Sequence, residues 1–198
     1  MRKAFERLMT ILCLLFLFTA HLDCFAEPVL MVGRIIRVVD GDTVVLQDER
    51  RDIYKIRLAG IDAPESRQSF GPEAKTFLRR LVLGKQVKTL AYKKDRYGRT
   101  IATIFLHEQD VNLAVIDVGL AWHYKRYAKE QPGTKARAYA QAEYLARAQH
   151  LGLWKDSDPT APWDWRSGRR ASSLLAEPQD AGGTIMLGIL AIHAGVTP

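Results

Sequence analysis

The spacing of hydrophobic and polar positions changes period several times between residues 29 and 150. Val29 to Val39, VLMVGRIIRVV, is rich in β-branched residues and predicts a strand. DGDT at 40–43 turns the chain. TVVLQD at 43–48 and DIYKIRLAG at 52–60 predict two further strands, joined by the charged tip Glu49-Arg50-Arg51. A period of two puts Ile53, Lys55, Arg57 and Ala59 on one face of the third strand, and Tyr54, Ile56 and Leu58 on the other.

The period then lengthens. Gly71-Pro72-Glu73 opens a helix, with proline in its first turn and an acid near its N-terminus. Ala74, Phe77, Leu78, Leu81 and Val82 follow at helical spacing as one buried face, and Gly84 ends it. QVKTLAY (86–92) and TIATIFL (100–106) predict strands joined by the basic loop KKDRYGR. Val111 to Gly119 reads as a short helix. An alanine-rich third helix runs from a Thr134 cap to about Gln149. Together these predict an α+β domain: a five-stranded β-barrel of the OB type, packed with three α-helices.

Composition narrows the class. The chain has 198 residues, 47% hydrophobic and 26% charged, which supports a core and excludes both a disordered chain and a multi-span membrane protein. The net charge of +7 points to a polyanionic partner, nucleic acid before a membrane surface.

The two cysteines, Cys13 and Cys24, both fall in an N-terminal stretch that reads as a signal peptide, residues 1–26. Arg2, Lys3 and Arg7 precede the apolar run Leu8 to Ala20, and Cys24-Phe25-Ala26 offers small residues for cleavage after Ala26. The run is short for a membrane anchor. The expected mature protein is secreted or periplasmic and free of cysteine. Residues 27–166 form the expected folded domain. Residues 167–198, rich in Ser, Gly, Ala and Pro, form an expected flexible tail, with an apolar stretch at Ile185 to Ile192.

Three clusters carry candidate chemistry. Asp40-Gly41-Asp42-Thr43 is first a hairpin turn and second a set of oxygen ligands for a hard cation. Arg57, with Ile61-Asp62-Ala63-Pro64-Glu65, presents two carboxylates on a turn stiffened by Pro64; the same residues also read as a solvated ion-pair loop. Lys93, Lys94, Arg96 and Arg99, with Tyr97 among them, suit phosphate and base contact, or form a solvated basic hairpin.

In this order and spacing, DGDT, RLxxIDxPE and DxYGR resemble the thermonuclease (staphylococcal-nuclease-like) family, over roughly residues 29–166. GLAW at 119–122 and GLW at 152–154 belong to the same likeness. The resemblance implies an OB-fold nuclease that cuts DNA and RNA with calcium, breaking the bond from phosphorus to the 5′ oxygen and leaving 3′-phosphate ends, with low sequence specificity. It implies Asp42, Asp62 and the carbonyl of Ala63 as calcium ligands, with Asp40 behind them. Ala63 stands where the family's threonine is often found; it keeps the carbonyl and lacks the hydroxyl. Arg57, Glu65 and Arg99 fall on catalytic positions. Tyr97 and Tyr127 fall on nucleotide-contacting positions, while Lys125 departs from a family tyrosine. Single-stranded or denatured nucleic acid is the expected substrate, and a monomer the expected state.

Phosphodiester hydrolysis builds negative charge on phosphorus. Two guanidiniums, charged at any working pH, and a cation suit that charge. Arg99 is too weak an acid to protonate the leaving group. His107, His123, His150 and His193 show no metal spacing and read as surface or packing residues, and Ser66 and Ser69 form no triad. Trp122, Trp154, Trp163 and Trp165 read as packing. Lys135, Arg137 and Arg147 read as the solvated face of the third helix. A non-catalytic OB-fold nucleic-acid-binding module is the alternative; a structural envelope protein leaves the acids and arginines unexplained.

Overall fold

A computed structural model describes residues 27–168, apart from the side chains of Tyr127, Lys129 and Glu130. The expected signal peptide and the tail from residue 169 lie outside the described residues.

The five long strands are β1 (Val29–Asp40), β2 (Thr43–Asp48), β3 (Ile53–Leu58), β5 (Gln86–Lys94) and β6 (Thr100–Leu106). Two-residue strands β4 (Ile61–Asp62), β7 (Gln109–Asp110) and β8 (Trp122–His123) complete the set. Hydrogen bonding runs β3-β2-β1-β5-β6-β7, and β3 pairs with β6 to close the barrel. That closing pair is parallel, with Ile56 opposite Thr100, Arg57 opposite Ile101 and Leu58 opposite Ala102. Closure removes the exposed edges an open sheet would leave.

The period of two decides which side chains fill the barrel. Val44, Leu46, Ile56, Leu58, Ala102 and Ile104 are all buried. Arg57, between Ile56 and Leu58, therefore faces out. Helix α1 (Gly71–Val82) seals the barrel through Ala74, Leu78 and Val82, with Phe77 and Leu81 half-buried beside them. Helix α2 (Val111–Asp117) is capped by Asp110, which accepts from the Leu113 amide at 3.1 Å. Helix α3 (Gly133–Ala148) packs Tyr139, Ala142 and Ala146 inward. A short fourth helix, α4 (Pro162–Arg166), joins the three expected from the sequence.

Thr134 does not cap α3. The helix begins at Gly133, directly after Pro132, and no side chain caps it, because Thr134 already lies in its first turn. Lys135 is half-buried rather than solvated, while Arg147 is exposed and packs one side on a tryptophan. Lys135 lies 2.8 Å from Asp110, and Arg147 sits over Trp154, 3.9 Å from the ring centroid; Arg137 is exposed. The Trp122, Trp154 and Trp163 rings pack edge to face, as expected of packing residues. His123 is buried against Tyr139 and bonds to Gln131, whereas His107 and His150 are exposed.

Candidate active site

The site lies on the outer face of the barrel, where the β1–β2 turn meets the chain leaving β3. Gly41 permits that meeting. A Cβ at this position would lie 2.7 Å from the Cβ atoms of both Ala63 and Ala74, so any side chain would push the turn off the barrel. Asp42 is thereby fixed. Its Oδ1 accepts from the Thr43 hydroxyl at 3.0 Å and its Oδ2 from the Ala63 amide at 2.9 Å. Its own amide donates to Asp40 Oδ1 at 3.2 Å.

Arg57 gathers the acids. Its Nη2 lies 2.7 Å from Asp62 Oδ1 and 2.9 Å from Asp42 Oδ2. Its Nη1 donates to the carbonyls of Leu58 at 3.0 Å and Ile61 at 2.9 Å. Three guanidinium N–H groups thus donate to oxygens, and Nη2 also lies against the Asp42 carboxylate. Asp62 is fully buried. Burial pushes its carboxyl above the usual range, against the opposing bonds from Arg166 and Arg57. Asp40 is pushed up to about 6, first by burial and then by the neighbouring Asp42 charge.

Glu65 follows Pro64 and is tied to the same acids through Arg166. The Arg166 guanidinium lies 2.7 Å from Asp62 Oδ2 and 2.7 Å from Glu65 Oε1. Arg166 was not anticipated from the sequence; one arginine at the end of a five-residue helix leaves no periodic trace.

Arg99 comes from the turn between β5 and β6, directly before β6 begins. It precedes Ile101, the residue that pairs with Arg57 across the closing strands, by two residues. Its Nε donates to Asp95 Oδ2 at 2.7 Å. Burial raises the Asp95 carboxyl, but the bonds from Arg99 and the Tyr97 amide outweigh it and hold the group below its ordinary value. Arg96 donates to the Tyr97 hydroxyl at 2.7 Å and lies over that ring, which is 67% exposed. Lys93 and Lys94 are exposed at the end of β5, which extends two residues further into the basic loop than the sequence suggested. Lys125 pairs with the buried Glu143 at 3.0 Å. Tyr127 lies in a 3₁₀ turn, Lys125–Glu130, and its side chain is outside what is described.

The structure therefore joins Asp42, Asp62, Ala63, Arg57 and Glu65 in one bonded group and sets Arg99, Tyr97 and the lysines on the adjacent hairpin. Among the described residues no group of three or more His, Cys, Asp or Glu could hold a metal. The fit to a hard cation rests on two carboxylates, whose oxygens converge on a single positive nitrogen.

A closed five-stranded barrel thus carries paired acids and arginines beside a basic aromatic hairpin. Residues 55–156 match the family model described as staphylococcal nuclease homologue. The chain is 38% identical over 153 residues to an uncharacterized endonuclease of Haemophilus influenzae, covering 77% of this chain and 82% of the relative. It is 38% identical over 143 residues to the micrococcal nuclease of Shigella flexneri, covering 68% and 79%. It is 40% identical over 120 residues to the staphylococcal-like nuclease CAN1 of Arabidopsis thaliana, covering 61% of this chain and 35% of that longer protein. The chain belongs to the staphylococcal nuclease family and is a nuclease of that class.

Proposed function

We propose that this protein is an exported, calcium-dependent nuclease that hydrolyses DNA and RNA at the bond from phosphorus to the 5′ oxygen, leaving 3′-phosphate ends with little sequence preference. It acts as a monomer and prefers single-stranded or denatured substrate. The observation that carries the reading is the convergence of Asp42 and Asp62 on Arg57, with Glu65 joined to them through Arg166. The names of the relatives, endonuclease and micrococcal nuclease, support it.

Asp42, Asp62 and the Ala63 carbonyl would hold the calcium ion, whose charge would draw electron density from a bound phosphate oxygen. The protein's own groups do the rest. Arg57 sets the two acids and places a permanent positive charge beside the phosphate. Arg99, anchored by Asp95 through Nε, would bring its η nitrogens to the same charge from the turn before β6. Glu65 orients the attacking water and takes its proton. Tyr97 offers an exposed ring for a base to stack on, and Lys93, Lys94 and Arg96 line the path of the phosphate backbone. Tyr127 falls in with the nucleotide contacts.

The test is hydrolysis of an end-labelled single-stranded oligonucleotide by wild type and by Glu65→Ala. Wild type should yield fragments ending in 3′-phosphate, and the variant about 10²–10³-fold less of them. A fully active variant, or products ending in 3′-hydroxyl, would refute the reading.

A further inference from the structure

Arg166 lies ten residues beyond the stretch matched by the family model, yet it touches both acids of the site. Its Nη2 lies 2.7 Å from Asp62 Oδ2. Its Nη1 donates to Asp62 Oδ1 at 3.3 Å and to Glu65 Oε1 at 2.7 Å. The helix that carries it is firmly placed. Ala161 and Pro162 are buried at its start. Trp163 stands edge-on to Trp122 and stacks on Tyr124, with ring centroids 5.4 Å apart in each pair.

A second tie runs through Gln68. Its Nε2 donates to the Thr160 carbonyl at 2.5 Å, and its Oε1 accepts from the Glu65 amide at 3.1 Å. The backbone of Glu65 and its carboxylate are therefore both held by one segment, residues 160–166: the first through Gln68, the second by Arg166. The need is physical. Glu65 sits in a loop with a carboxyl side chain 39% exposed, and a long acidic side chain at such a place samples many rotamers unless a partner fixes it. A charge-assisted bond to a guanidinium fixes one oxygen and leaves the other, Oε2, for the proton of water.

We propose that Arg166 is a positioning residue for the nuclease reaction: it holds the Glu65 carboxylate beside Asp62, so the catalytic unit reaches α4, ten residues past the stretch matched by the family model. This rests on the reading of Glu65 as the acid that handles water.

The test compares Arg166→Ala and Arg166→Lys in the full chain, alone and with Glu65→Gln, using a single-stranded oligonucleotide. Arg166→Ala should lower kcat about 10–100-fold and leave KM within about twofold. Affinity for the uncut oligonucleotide, read by fluorescence anisotropy with chelator present, should also stay within about twofold of wild type. Arg166→Lys should recover part of kcat, because an ammonium reaches one carboxylate where the guanidinium bridges two. With Glu65→Gln in place, Arg166→Ala should cost less than about threefold further, read as residual rate in long incubations. If circular dichroism shows that Arg166→Ala does not fold, Arg166→Gln carries the same expectations.

An unchanged kcat for Arg166→Ala, an equal loss in the Glu65→Gln background, or a raised KM at unchanged kcat would each overturn the proposal. The last would make Arg166 a phosphate contact instead. An active wild type, a crippled Glu65→Gln and an unaffected Arg166→Ala overturn this inference alone. A fully active Glu65→Gln variant overturns the reading beneath it as well.

Discussion

The Asn112 side chain donates to the Ala59 carbonyl at 3.0 Å, joining residues 53 positions apart. The same amide group donates to the Ala102 carbonyl at 3.2 Å, and Asn112 Oδ1 accepts from the Ile104 amide at 3.2 Å. One buried side chain thus pins the end of β3, three residues before Asp62, to β6. Asn112→Leu removes these bonds and strips the Ala59 carbonyl and the Ile104 amide of the Asn112 partner, while the Ala102 carbonyl keeps its bond from the Ala59 amide. A loss of about 2–4 kcal/mol is expected in urea unfolding, with the folded fraction losing nuclease activity as the Asp62 turn loosens.

Gly41→Ala puts a Cβ against Ala63 and Ala74 in a well-packed place. The turn must lift, taking Asp42 away from the Ala63 amide. Stability should fall by about 1–3 kcal/mol. Activity should fall further than that loss explains, measured on protein that circular dichroism shows to be folded. Wild-type activity in this variant would mean that Asp42 does not need its observed position.

Arg57→Ala removes the cation between two buried carboxylates. Asp42 loses its ion pair and Asp62 keeps only Arg166, which should destabilise the protein by about 3 kcal/mol, and the nuclease rate should drop about 10²–10³-fold. Arg57→Lys keeps the charge but cannot reach the same four oxygens, so it should recover stability more than rate. Melting temperature and single-turnover rate, measured side by side, separate the two effects.

Asp95 supplies a pH dependence. Its carboxyl is held below its ordinary value in the folded protein, so the unfolded chain takes up a proton first as pH falls. The stabilisation is present above the unfolded value of about 3.9 and is lost as pH drops through the folded value. Asp95→Asn should melt lower than wild type at pH 7, and the gap should narrow below about pH 4. A gap constant from pH 7 to pH 3 would show that the Asp95 charge contributes nothing.

Much of this was written in the pattern of residues. The alternation in β3 put Ile56 and Leu58 on one face and Arg57 on the other, and barrel closure turns the first face inward. The grouping of Asp42, Asp62 and Glu65 was legible through their motifs, and the structure joins them by bonds. The two-residue ladder between β4 and β8 was not legible, being too short to show a period. Lys135 read as solvated because its helix spacing was visible while its partner was not: Asp110 lies 25 residues earlier, with α2 and β8 between. Arg166 was hidden for the same reason, since its contacts with Asp62 and Glu65 close over more than a hundred residues of chain.

The most direct measurement is the rate of single-strand cleavage as calcium is titrated into chelator-treated protein, for wild type and for Asp42→Asn. Wild type should be inactive without the ion and saturate with it; Asp42→Asn should need about tenfold or more calcium, or stay inactive. Cleavage that persists in excess chelator, or an Asp42→Asn variant with the wild-type calcium curve, would contradict the convergence of these acids on a bound cation.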